Sequence, residues 1–169
     1  MACSQTLSGL TQDCGTSMGG IKKVWLAEFK EGAASMSGET GMIGSISGDC
    51  QFHEYYFRKN TGSMTSTLNV DPANGVNYVS TELSLVFTKM ETTKRIEMSA
   101  LVLADAMAVV EDANGKRWFL GFDNPISATS ATGETGVAKG DGNKYTLVLT
   151  DESSTFPYEL APDATFTIA

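Results

Sequence analysis

The chain has 169 residues, 41% of them hydrophobic and 19% charged. That is enough apolar mass for one domain with its own core, and it excludes disordered, collagenous and disulfide-scaffold classes. Acids outnumber bases 20 to 12 for a net charge of −8, which argues against a general nucleic-acid binder, whose footprint is a basic face.

The opening residues, MACSQTLSGLTQDCG, show neither the basic nor the apolar segment of a secretory signal, which points to a cytosolic origin. Residues 100–110 form the longest apolar run and are broken by Asp105, well short of the roughly 20 residues of a bilayer span. Cys3, Cys14 and Cys50 are odd in number and widely spaced. They are expected to be reduced thiols rather than zinc ligands, which come as close pairs.

The dominant hydrophobic period is two. Residues 21–29, IKKVWLAEF, predict a strand buried on much of both faces. Residues 51–58 alternate imperfectly, with Phe52, Tyr55 and Phe57 as inward positions. Residues 64–70 are rich in β-branched side chains and stop at the turn-opening Asp71-Pro72, and residues 77–88 alternate through Leu83, Leu85 and Phe87. One segment departs from this period. Ile96, Ala100, Leu103 and Met107 recur at helical spacing, predicting a helix over about 92–106 with Thr92 or Thr93 as N-cap. Val109-Val110, Asn114-Gly115 and residues 116–122 read as a hairpin. Residues 144–150 predict a further strand, with a last short one at 155–160 or 164–168.

Residues 31–50 and 123–143 have the composition of long loops, although MIGSIS inside the first could pair as an edge strand. The expected fold is therefore mainly β: one domain over 1–169, a β-sandwich or barrel of two packed antiparallel sheets with a single flanking helix.

No catalytic constellation is legible. His53, the sole histidine, lies in a predicted strand with no nucleophile motif beside it. Glu111-Asp112 and Asp151-Glu152 are adjacent pairs, and neighbours on a strand face opposite ways, so neither pair can act on one bond. The Asp112 and Asp141 turns begin like calcium loops, but Lys116 and Lys144 stand where oxygen ligands are required. No phosphate-binding glycine motif is present. The chain is read as a non-enzyme without cofactor or metal. An acidic, mainly β domain with two long apolar-tinged loops suggests a building block that associates with itself.

The stretches SMGGIKKVWLAEF (17–29), WFLGFDN (118–124) and ATGETGVAKGDGNKYTLVL (131–149) resemble those of virion proteins from tailed bacteriophages of Bacteroides-type gut bacteria. The order of elements is similar to the tail tube fold. The resemblance implies a virion structural protein assembled in the host cytoplasm into stacked hexameric rings. Inner sheets would join side by side, loops would clip ring to ring, and DNA would pass without specific binding. Other tail or neck proteins would be its further partners, with no membrane involved.

On that footing residues 31–50 and 123–143 become contacts, anchored by Met42, Ile43, Ile46, Pro125 and Ile126. Removal of residues 125–140 is expected to leave a folded monomer. Acids outnumber bases 8 to 6 in residues 1–90 and 12 to 6 in residues 91–169, so the second half supplies the candidates for an acidic channel: Glu111, Asp112, Glu134, Asp141, Asp151 and Glu152. The alternatives are a carbohydrate-binding β-sandwich stacking sugars on Trp25, Trp118, Tyr55 and Tyr56, or a neck or capsid-decorating protein of the same phage class.

Overall fold

The computed structural model describes residues 7–38 and 41–169; Cys3 lies outside them. Strands β1 (Ile21–Glu28), β4 (Gln51–Glu54), β7 (Ala106–Asp112), β8 (Arg117–Leu120), β11 (Tyr158–Glu159) and β12 (Thr167–Ile168) form a six-stranded sheet in the order β11-β8-β7-β1-β4-β12. Strands β5 (Ser63–Asp71), β6 (Val76–Thr88), β9 (Ser127–Glu134) and β10 (Lys144–Ser153) form a second sheet in the order β5-β6-β10-β9. A hairpin of β2 (Ala34–Ser37) and β3 (Met42–Ile46) stands apart, and α1 spans Thr92–Leu103. Every pairing between these strands is antiparallel except β12 on β4, and an isolated parallel bridge joins Ile43 to Leu160. The expected β-sandwich with one helix is what the chain forms.

The alternation of β1 and β7 explains the layering. Val24 and Leu26 of β1, with Ala108 and Val110 of β7, face the four-stranded sheet. There they meet Leu83, Leu85, Phe87, Leu147 and Leu149 in one core. The intervening Trp25, Ala27, Met107 and Val109 face the other way. They build a second core with Phe52, Phe119 and the side chains of the β2–β3 hairpin and residues 160–164. A sheet packed on both faces is the reason residues 21–29 read as a continuous apolar run.

The helix differs from its prediction in end, face and cap. It stops at Leu103, and Ala106 and Met107 belong to β7, where pairing with β1 overrides the helical propensity of the run. Met98 and Leu101 are its buried residues, whereas Ile96 and Leu103 are 57% and 88% exposed. The expected stripe fails because Ile96, Ala100 and Leu103 lie on the exposed side of the helix and Met107 is not helical. Glu91 takes the N-cap position without a side-chain cap hydrogen bond, its carboxylate pairing with Lys89 and Lys94 instead.

Two segments with the composition of loops contain strands, the MIGSIS strand allowed within the first being β3. Residues 31–50 hold the β2–β3 hairpin, and residues 123–143 hold β9. The strand expected over 51–58 ends at Glu54, and Tyr55 and Phe57 pack half-buried against the first core. The Asn114-Gly115 turn forms as expected, with Gly115 at φ 84° and Asp112 Oδ1 accepting the backbone N–H groups of Asn114 (2.8 Å) and Lys116 (3.0 Å). Both candidate final strands exist, as β11 and β12.

Gly121, just past β8, has φ 89°, and a Cβ there would lie 3.0 Å from Met107 Cβ. Gly121→Ala therefore combines an unfavourable backbone conformation with a crowded core. Urea unfolding is expected to show a loss of about 1–2 kcal/mol; an unchanged midpoint would mean the loop relaxes freely.

Candidate functional site

The four-stranded sheet has two faces of different chemistry. Its inner face carries the core leucines. By strand alternation its outer face carries Thr65 and Thr67 of β5, Ser80, Glu82 and Ser84 of β6, Thr146, Val148, Thr150 and Glu152 of β10, and Thr132 and Glu134 of β9. Thr129 Oγ1 and Thr150 Oγ1 hydrogen-bond at 2.9 Å, and Lys144 pairs with Glu134 at 3.5 Å. The surface is thus mostly hydroxyl, with acids outnumbering the one lysine.

Neither lateral edge of this sheet carries a further strand among the described residues, although α1 packs close to β9. Among the described residues β5 pairs with β6 alone and β9 with β10 alone. Neither edge strand contains a lysine, arginine or proline, the residues that usually guard an exposed edge. On β5 and the start of β6, Leu68, Val70, Val76 and Tyr78 are 39–58% exposed.

The six acids do not share one surface. Glu134 and Glu152 lie on the outer face, at opposite ends of β10's ladder. Glu111 and Asp112 belong to β7 in the other sheet. Glu111 pairs with Lys22 at 3.2 Å, and the second carboxylate oxygen of Asp112 accepts from Trp118 Nε1. Asp141 sits in the β9–β10 turn and accepts the N–H groups of Val137 and Ala138. These two bonds hold its carboxyl below the ordinary aspartate range.

Asp151 is 3% exposed and points into the protein. Its Oδ2 accepts the Gly121 N–H, while Oδ1 has no partner. Burial raises its pKa to about 6, and the nearby Asp123 and Glu152 add to the rise. A buried aspartate cannot line a channel, so that assignment is corrected by the alternation that turns Glu152 out and Asp151 in.

The expected anchors are placed differently as well. Ile43, Ile46 and Ile126 are buried in the subunit's own cores, at 0%, 7% and 1% exposure. Met42 packs half-buried on the second core, and Pro125 is half-buried. The burial of the isoleucines needs no partner. Removing residues 125–140 would take out Ile126 and all of β9, so a folded remnant is no longer expected. The exposed apolar side chains that sequence reasoning passed over include Leu68, Val70 and Val137.

The aromatic groups expected to offer a sugar platform are separated. Trp25 is 4% exposed against Phe166, Trp118 is half-buried, and Tyr56 is 79% exposed. Tyr55 donates a short hydrogen bond to Glu97, and burial followed by this carboxylate raises the phenol's pKa well above its usual value. A depression of about 560 Å³ between α1 and the β1–β4 region includes His53, Tyr55 and Glu97, with the Lys30–Asp49 pair (3.2 Å) on its wall. Among the described residues no three His, Cys, Asp or Glu side chains cluster as a metal site. No described helix is long and apolar enough to cross a membrane.

Comparison of the chain with protein-family models, with curated proteins and with solved structures finds no match.

Proposed function

We propose that this chain is a non-enzymatic structural subunit that closes into rings through the edges of its four-stranded sheet, in the manner of a phage tail tube protein. The observation that carries the reading is the pair of edges without a ladder partner among the described residues, and their polarity. Strand direction alternates across β5, β6, β10 and β9, so β5 and β9 run in opposite directions. When a copy is repeated by rotation about an axis roughly along the strands, its β9 meets the next copy's β5 as an antiparallel neighbour. A continuous ladder then closes on itself and leaves no edge.

In such a ring the hydroxyl-rich outer face lines the channel, and the hexameric number is the one implied by the sequence resemblance. Glu82, Glu134 and Glu152 supply acidic groups against a single Lys144 per subunit. DNA carries about one phosphate charge per 1.7 Å of axis. A lining of hydroxyls with a modest acidic excess gives that polymer no basic track to bind, so it can slide. Stacked rings in a virion tail, assembled in the host cytoplasm next to other tail or neck proteins, complete the reading.

Light scattering after size exclusion, with negative-stain imaging of the same fractions, tests it. Rings or hollow filaments that grow with concentration are expected. A monomer at every concentration overturns the proposal.

A further inference from the structure

The turn between β9 and β10 is built to present one side chain. Asp141 Oδ2 takes the N–H groups of Val137 (2.8 Å) and Ala138 (2.7 Å), and the Asp141 N–H returns to the Ala138 carbonyl at 3.0 Å. The turn is therefore closed on itself. Val137 nevertheless projects fully into solvent at 103% exposure, and Lys139 beside it makes no ion pair among the described residues. A closed turn that holds an apolar side chain outward has already lost much of its conformational freedom, which lowers the cost of docking it.

A matching depression of about 240 Å³ lies near the start of the 55–62 segment. Its floor is Tyr55, Tyr56, Phe87, Met98 and Leu101, and Glu54 and Glu97 stand on its wall. The one base there, Lys94, is engaged elsewhere: its ammonium donates to the backbone carbonyls of Thr88 and Lys89. Glu54 already faces Lys23 and accepts from the Tyr56 hydroxyl, and Glu97 accepts from the Tyr55 hydroxyl. Of the two carboxylates only Glu54 has a cation nearby among the described residues, at 3.9 Å. The depression is thus apolar at the bottom, with an acidic side that fits a valine followed by a lysine.

Strand polarity brings the two together between copies. β5 begins at Ser63 opposite Ser84, and the Arg58 N–H donates to the Val86 carbonyl, so residues 58–62 continue along β6 beyond the end of β5. A neighbour's β9, antiparallel to β5, has its Glu134 end at Ser63. Its turn then runs on past residues 58–62 toward Tyr55 and Tyr56.

We infer that the β9–β10 turn of one copy seats Val137 in the Tyr55–Tyr56–Phe87–Met98–Leu101 depression of the next, with Lys139 against Glu54 and Glu97. This rests on the ring reading and adds a lock at one end of its strand interface. Val137 is the anchor, since it alone is desolvated. The lysine contact at the rim sets orientation more than affinity.

The test is a cross-link between two fully or largely exposed positions, V137C and Y56C, placed together in a C3A/C14A background of the full chain and oxidised after assembly. A ladder of covalent multimers in denaturing gels is expected, with each variant that carries only one of the two introduced cysteines beside the buried Cys50 stopping at dimers or monomers. Rings that form without a ladder overturn the docking while leaving the ring reading intact. A faster-migrating monomer means the turn folds onto its own subunit, which also overturns it. Absence of any assembly removes the ring reading and this inference with it.

Discussion

Ala131→Lys is expected to convert assembled protein to monomer with little change in the fold. Ala131 is exposed on β9 and pairs with Leu147 of β10, so its side chain points to the core side of the sheet at the open edge. A lysine there is the inward-pointing charge that natural sheets use to prevent edge pairing. In the monomer it reaches water, and the cost to stability stays within about 0.5 kcal/mol. In a continuous ladder its ammonium would be held against the neighbour's Leu68 or Met64 row, a burial that no partner compensates.

Leu68→Lys is the companion on the opposite edge, since Leu68 lies opposite the buried Val79 on the core side of β5 and is 51% exposed at the open edge. Each variant keeps one intact edge. Alone, both remain monomers; mixed in equal amounts, the intact β5 of the first joins the intact β9 of the second and growth stops at a dimer. Light scattering reads all three states directly. Rings from either single variant, or monomers from the mixture, would show that the subunits meet elsewhere. Ser99→Lys on the exposed side of α1 carries the same charge away from both edges and is expected to leave the rings in place.

The edge that this experiment attacks was hidden in the sequence for a physical reason. Residues 127–132 read Ser-Ala-Thr-Ser-Ala-Thr, a period of three that masks the period of two on which a strand is recognised. An edge strand with small side chains and one open side buries too little to show an inward stripe. By contrast β1 and β7 were legible because a doubly covered strand must be apolar throughout, and Asn114-Gly115 because both positions of that turn tolerate its backbone.

The candidate site was less legible than the fold. Ile43, Ile46 and Ile126 lie in stretches with the composition of loops, and sequence cannot say whether such an isoleucine is covered by a partner or by its own chain; here the protein's two cores cover them, with Ile126 also bridged to Ala106. The acids failed in a similar way. Asp151 and Glu152 are neighbours with opposite environments, and only the register with β6 decides which one faces the core.

Asp151→Asn is expected to remove most of the pH dependence of stability between pH 5 and 7.5. The carboxyl sits between the sheets with one oxygen on the Gly121 N–H and the other unpaired. Burial disfavours its charged form, so its pKa stands at about 6 instead of 3.8. A raised carboxyl means that the folded chain holds a proton that the unfolded chain has released, over the range from about 4 to 6. Stability then falls as pH rises across that range and levels off above about 6, and it recovers as pH drops toward 5. The full gap corresponds to at most about 3 kcal/mol over the whole titration, of which roughly half falls between pH 5 and 7.5. At lower pH the trend reverses, because Asp71, Glu91 and Asp141 have lowered values and lose their partners on protonation.

The side-chain amide that Asp151→Asn introduces keeps an acceptor for the Gly121 N–H and does not titrate. Urea midpoints measured from pH 5 to 7.5 should fall for the native chain and stay level for the variant, with the curves furthest apart at pH 7.5. Parallel curves would place the pH dependence on another group. The same substitution bears on the edge, because residues 121–126 lead into β9 and are tied to the end of β10 by the Asp151 bond, by Asn124 Nδ2 on the Glu152 carbonyl (3.0 Å), and by Asp123 on Ser154. A neutral side chain at this position gives up some strength in the Gly121 bond but removes the larger cost of burying a charge at neutral pH. Any rings the subunits form should therefore persist to higher urea in the variant than in the native chain.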